Sequence, residues 1–198
     1  MRPRSWGSCD RPKRSAFSTY RARLNGFIRK LVSEGRQVFV VCPMIEENEE
    51  LPPKVKSAQE HAAELQKYFP NLKVACVHGK LKAKDKNEIM QSFVAGDIDI
   101  LVSTTVIEVG VDVPNASVML IENAECFGLS QLHQLRGRVG RGKYPGHVFL
   151  CTSTTSANAK RRMKALVETS DGFELAEQDL QLRREGDIMG VRQSGEVS

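Results

Sequence analysis

The run DILVSTTVIEVGVDVPNASVMLI at residues 99–121 decides the fold. It opens on DILVS, Asp99 to Ser103, and closes on SVMLI, Ser117 to Ile121, two short segments that are apolar almost throughout. A strand without polar alternation needs cover on both faces, which a parallel sheet flanked by helices provides. Between the two, Thr105 and Glu108 stand at capping-box spacing, and Gly110 closes what reads as a short helix ahead of Pro114. Strand, helix and strand in that order form the crossover unit of a parallel sheet.

The same alternation continues outward. QVFVVC (Gln37 to Cys42), KVACV (Lys73 to Val77) and HVFLCT (His147 to Thr152) are further apolar strands, giving five in all. Leu24, Phe27, Ile28 and Leu31 recur at i, i+3, i+4 and i+7, so a helix is predicted from Arg21 to Val32, stopped by Gly35. Ser57 and Glu60 open a helix that Pro70 and Asn71 end; another, roughly Ala83 to Val94, turns Ile89, Met90, Phe93 and Val94 inward before Gly96. The prediction is an α/β domain over residues 21–154, a parallel sheet with helices on both faces. The run from Pro43 to Lys56, acidic and then carrying paired prolines, reads as an exposed loop. Residues 1–20, rich in Arg, Ser and Pro and without periodicity, read as a linker or tail. From residue 155 to 198 the character changes to a helical hairpin, Ser156 to Thr169 and Gly172 to Arg183 joined at Ser170-Asp171, and then a glycine-punctuated extended tail.

Composition narrows the class. In 198 residues, 40% hydrophobic and 27% charged content suit a globular domain with one core, and a net charge of +5 leans toward a polyanionic partner. Cys9, Cys42, Cys76, Cys126 and Cys151 form no CxxC pair and read as reduced core residues. No apolar run approaches a membrane span, so a cytoplasmic protein without membrane contact is expected.

The chemistry concentrates in QLRGRVGR, Gln134 to Arg141. On a continuous helix Gln134, Arg138 and Arg141 fall at i, i+4 and i+7 and share one face, while Gly137 and Gly140 leave a neighbouring stripe bare for another backbone or a phosphate. Two planar, permanently charged guanidinium groups side by side suit a polyphosphate clamp; the plainer alternative is a basic amphipathic helix on a solvated face. Ligands of an open parallel sheet bind beyond the carboxyl ends of its strands. His78-Gly79, Ser103-Thr104-Thr105 and Gly110-Val111-Asp112-Val113-Pro114 are expected to gather there. Thr105 at a helix N-terminus suits a backbone phosphate, and Asp112 suits ribose hydroxyls or an arginine; a plain capping threonine and a turn aspartate are the alternatives.

Together, TTVIEVGVDVP (Thr104 to Pro114) and QLRGRVGR resemble the fifth and sixth motifs of superfamily 2 helicases. The resemblance implies a RecA-like domain of the P-loop NTPase type, the second of two, with ATP in the cleft between them. It implies that Arg138 and Arg141 are arginine fingers, that Gln134 links the nucleotide to the interdomain contacts, and that Gly110 and Asp112 touch the nucleotide. It places His78, Gly79, Thr104 and Thr105 toward the nucleic-acid backbone. FELAEQDLQLRREGDIMGVRQSG, Phe173 to Gly195, is similar to the translocation motif of the RecG branch-migration helicases, which the transcription-repair coupling factors share in related form. Arg183 and Gln193 fall on that motif's functional positions; Arg184-Glu185 departs from the Gly-Pro of many members.

No GxxxxGK[ST] loop occurs, and no strand-borne Asp-Glu pair stands ready for magnesium, so no metal site is expected within the chain. ATP and Mg2+ are expected to be held mainly by a first motor domain of the same polypeptide, and the segment alone is expected to be inactive. The expected partners are branched or forked DNA, that first domain and a wedge domain, in a monomer. The alternative from another class is a catalytically inactive RecA-like domain serving as a nucleic-acid-binding or adaptor module, and the two phosphate-site motifs alone also suit an RNA helicase half.

Overall fold

The computed structural model describes residues 5–9, 14–44, 57–104, 113–154, 156–169, 171–178 and 180–181, with side-chain surroundings from residue 21 onward. Among the described residues six strands, β1 (Ser5–Cys9), β2 (Gln37–Val41), β3 (Val74–Val77), β4 (Ile100–Ser103), β5 (Ala116–Ile121) and β6 (His147–Cys151), form one sheet in the order β1-β6-β5-β2-β4-β3. Every neighbouring pair is parallel.

The helices α1 (Arg14–Ser33), α2 (Ala58–Tyr68), α3 (Ala83–Ala95), α4 (Leu129–Arg136) and α5 (Ala157–Glu168) divide between the two faces. Strand alternation explains the division. Val38, Val40, Ile100, Val102, Val118 and Leu120 turn to one side, where Leu24, Ile28 and Leu31 of α1 and Leu65 of α2 cover them. Phe39, Val41, Leu101, Met119, Ile121 and Val148 turn to the other, against Phe93 of α3, Leu132 and Leu135 of α4, and Met163 and Leu166 of α5. Residues 172–178 are helical and send Leu175 into this second core, so the hairpin is part of the domain's hydrophobic structure.

Local signals behave as the chemistry requires. Ser57 accepts from the Glu60 amide at 3.2 Å and the Glu60 carboxylate accepts from the Ser57 amide at 2.8 Å, closing the capping box of α2. Gly96 ends α3 in the left-handed region at φ 87°. Four features depart from expectation. Residues 5–9, within the segment read as a linker, pair with β6 as an edge strand, and α1 begins at Arg14 rather than Arg21. Backbone pairing at a sheet edge asks for no side-chain alternation, so SWGSC gives nothing to read. Val94 is exposed rather than inward, because Met90 and Phe93 already fill the α3 stripe facing the sheet. Cys126 is exposed in the turn after β5, whereas Cys42 and Cys151 are buried; these and Cys76 are free thiols. The expected helix after Thr104 and most of the acidic loop lie outside the described residues.

Candidate functional site

At the carboxyl end of the sheet, β3 runs into His78-Gly79 and β4 into Thr104. The two lie side by side because β3 and β4 are adjacent and parallel, and the Thr104 amide donates to the Val77 carbonyl at 3.3 Å. His78 is half-buried, and the side-chain nitrogen of Gln59 on α2 sits 2.9 Å from its Nε2. The hydroxyl of Thr104 is buried and has no hydrogen-bond partner among the described residues. Gly79 is exposed, and a Cβ there would meet nothing within 4 Å.

The arginine segment is not the continuous helix expected. α4 stops at Arg136, capped by Gly137, whose amide donates to the Gln134 carbonyl at 3.1 Å. Gln134 therefore belongs to the last turn of α4, while Arg138 and Arg141 lie in the turn that follows. The i, i+4, i+7 face does not form. The reason is in the glycines: Gly140 adopts φ 73°, a left-handed conformation that breaks a helix and that a side chain resists. The bare stripe serves backbone contact. A Cβ on Gly140 would lie 2.5 Å from the Gly146 nitrogen, and one on Gly142 would collide with the Pro114 carbonyl. Arg138 is half-buried, Arg141 is exposed, and the Arg141 Nε donates to the Gly137 carbonyl at 2.8 Å, folding its side chain back along the turn.

These contacts place the arginine turn at the amino-terminal edge of β5, because Pro114 lies in the turn that leads into that strand and the Gly140 amide reaches the Ala116 carbonyl at 3.5 Å. Val113 and Pro114 thus lie at the edge opposite His78 and Thr104, which corrects for these two residues the expectation of a gathering at the carboxyl ends; Gly110 to Asp112 lie outside the described residues. In a parallel sheet the chain must return to the starting edge before the next strand begins. The described residues consequently form two separate clusters, a cationic turn beside Pro114 and a polar ledge of His78, Gly79 and Thr104. Thr105, Gly110, Asp112, Arg183 and Gln193 lie outside the described residues.

α4 also touches the hairpin. An Arg136 Nη1 reaches the Thr169 carbonyl at 3.5 Å, and a Cβ on Gly172 would lie 3.2 Å from His133 Nε2, so the second hairpin helix starts flush against α4. Arg162 of α5 donates to the carbonyls of Glu125 and Phe127, fixing the turn that leads into α4. Neither Gln59 nor Arg162 carries a sequence signal, since each acts through a partner distant in the chain. As for a nucleotide, the residues suit half a site: Arg138 and Arg141 offer guanidinium donors for phosphate oxygens. Among the described residues no three His, Cys, Asp or Glu side chains gather to hold a metal ion.

Residues 22–143 match the family model described as Helicase conserved C-terminal domain. Over 175 residues the chain is 49% identical to the ATP-dependent DNA helicase RecG of Synechocystis, covering 88% of this chain and 21% of that protein. It is 47% identical over 174 residues to the RecG helicase of Bacillus subtilis, covering 87% of this chain and 25% of that protein. A solved structure of RecG bound to a three-way DNA junction is similar with a TM-score of 0.68 and 42% identity, over 88% of this chain and 21% of that one. The chain therefore spans about a fifth to a quarter of the length of these relatives.

Proposed function

The chain belongs to the helicase conserved C-terminal domain family, and on that premise we propose that it is the second motor domain of an ATP-dependent DNA helicase that remodels branched DNA. The observation that carries the proposal is the arginine turn seated against Pro114 at one edge of a rigid sheet, with the His78–Thr104 ledge at the other. The similarity to RecG helicases, one of them solved on a three-way junction, supports branched DNA as the substrate.

In this reading bound ATP, held with Mg2+ mainly by a first motor domain, supplies the phosphoryl group to be cleaved. Arg138 and Arg141 contribute positive charge at its phosphates, where fingers of this kind act electrostatically. Gln134, in the last turn of α4, links that contact to the helix, and Gly110 and Asp112 complete the nucleotide side of the same rim. His78, Gly79, Thr104 and Thr105 hold the DNA backbone. Such contacts read phosphate positions and not bases, so preference follows junction shape. Arg183, at the end of the predicted hairpin, and Gln193 in the tail after it pass the movement to duplex DNA and drive it against a wedge domain.

The test uses the full-length polypeptide. Arg141→Ala is expected to lower DNA-stimulated ATP turnover by about 10³, the lower end of what a finger contributes, while leaving DNA affinity nearly unchanged. Undiminished turnover removes the finger assignment. Gln193→Ala is expected to keep ATP turnover and lose fork unwinding; equal loss of both sinks the transmission role. A full-length polypeptide that turns over no ATP at all favours a DNA-binding adaptor instead.

A further inference from the structure

The segment from Gly137 to Gly146 holds four glycines, and a chain so composed does not keep one shape unless its few side chains anchor it. Val139, fully buried, anchors the side before Arg141. On the far side the anchor is Tyr144. Its ring is half-buried, with the guanidinium carbon of Arg36 at 4.4 Å from the ring centroid and Lys143 Nζ at 5.1 Å. Arg36 leads into β2, from a part of the chain remote in sequence. Its side chain is only 14% exposed, pairs with Glu34 at 2.9 Å, and leaves a buried Nε with no hydrogen-bond partner among the described residues. A guanidinium so far withdrawn from water gains most from a ring face, where the attraction between cation and π-system is strongest when desolvated.

We propose that Tyr144, capped by Arg36, is a positioning residue for Arg141. The two grips on either side of it, Val139 in the core and Tyr144 under Arg36, fix the backbone of the turn, and the seat of Gly142 on Pro114 fixes its height on the sheet edge. Arg141 is thereby presented from a defined place. The proposal rests on the finger reading above, and its test separates the two.

In the full-length polypeptide, Tyr144→Ala is expected to speed amide hydrogen exchange across residues 137–146 about tenfold, the shift expected of losing a largely desolvated cation–ring contact, with α2 unchanged. DNA-stimulated ATP turnover falls by a similar factor in kcat, and DNA affinity stays. Tyr144→Phe, which keeps the ring face, restores both. The double variant Arg141→Ala/Tyr144→Ala turns over no more slowly than Arg141→Ala alone, because Tyr144 acts only through Arg141. If Tyr144→Ala fails to fold, Tyr144→Leu retains apolar bulk without the ring and is expected to give the same exchange change. Unchanged exchange at 137–146, or a double variant slower again by the full single-site factor, overturns the proposal while the finger reading survives. Undiminished turnover in Arg141→Ala overturns that reading, and the positioning role with it.

Discussion

Substituting Gly140 by alanine tests whether the arginine turn is held by backbone contact. Two costs add. At φ 73° an L side chain meets its own carbonyl, worth about 1–2 kcal/mol. The new Cβ would also lie 2.5 Å from the Gly146 nitrogen and 2.7 Å from its Cα, distances that force backbone apart. Overpacking of that kind costs about 1–3 kcal/mol, so Gly140→Ala is expected to destabilise by roughly 3 kcal/mol in total. Gly35 separates the terms: it has φ 79° and nothing within 4 Å of its would-be Cβ, so Gly35→Ala carries the conformational cost alone. Gly26, inside α1 with open space around it, is the opposite control, and Gly26→Ala is expected to stabilise by about 0.5–1 kcal/mol. Urea unfolding of the three variants with unchanged m-values gives the differences directly; by heat, Gly140→Ala should lower Tm by about 6–12 °C for a chain of this size. Equal losses from Gly140→Ala and Gly35→Ala refute the close approach of Gly140 to Gly146.

Two further outcomes follow from charge. Glu122 at the end of β5 pairs with Arg21 of α1 at 2.6 Å, with side-chain exposures of 8% and 28%. Breaking a buried pair costs about 3–5 kcal/mol, and the partly wet Arg21 reduces this, so Glu122→Gln should destabilise by about 1–2 kcal/mol in a urea titration; a neutral result would mean that the pair only offsets its own desolvation. Burial, with the Arg36 charge second, holds the His147 imidazole below its ordinary 6.5. The unfolded chain then takes up the proton first, so stability falls as pH drops from about 6.5 toward the folded-state value and is unaffected above that window. His147→Gln should flatten this part of the stability profile, and parallel profiles for variant and parent would remove the assignment.

The sheet was legible because its strands are apolar on both faces and its helices carry their own stops: Ser57 with Glu60 at the start of α2 and Gly96 at the end of α3 behave as local chemistry dictates. Local chemistry also misled. Gln134, Arg138 and Arg141 obey a helical period on paper, yet Gly140 in the left-handed region ends that period in space. Periodicity says which residues would share a face if the helix continued; only the approach of Gly146 and Pro114 reveals that it does not. The placement of Pro114 failed for a topological reason, since a motif that follows a strand in sequence need not stay at that strand's end. Tyr144 and Arg36 were invisible for a third reason: a cation over a ring needs two segments that only the folded sheet brings together.

The same geometry bears on how the two edges communicate. α4 starts at the carboxyl edge, after the turn that Arg162 holds, and ends at the amino edge where the arginine turn begins. Leu129, Leu132 and Leu135 bury its inner face completely or nearly so, and eight residues at about 1.5 Å each make a rod of about 12 Å with no glycine or proline inside it to bend. In the proposed motor, a push that the arginine turn passes to α4 is therefore not absorbed by bending of α4 itself. It moves the helix as a body, or it moves what rests on it, and what rests on it is the hairpin, through Arg136 at the Thr169 carbonyl and His133 at Gly172. Leu175 ties the second hairpin helix into the same core. In the proposed motor, the path from the nucleotide rim runs through packed contact as far as the second hairpin helix, and loss of Gln193, farther along the chain, should uncouple unwinding from ATP turnover and not abolish turnover itself.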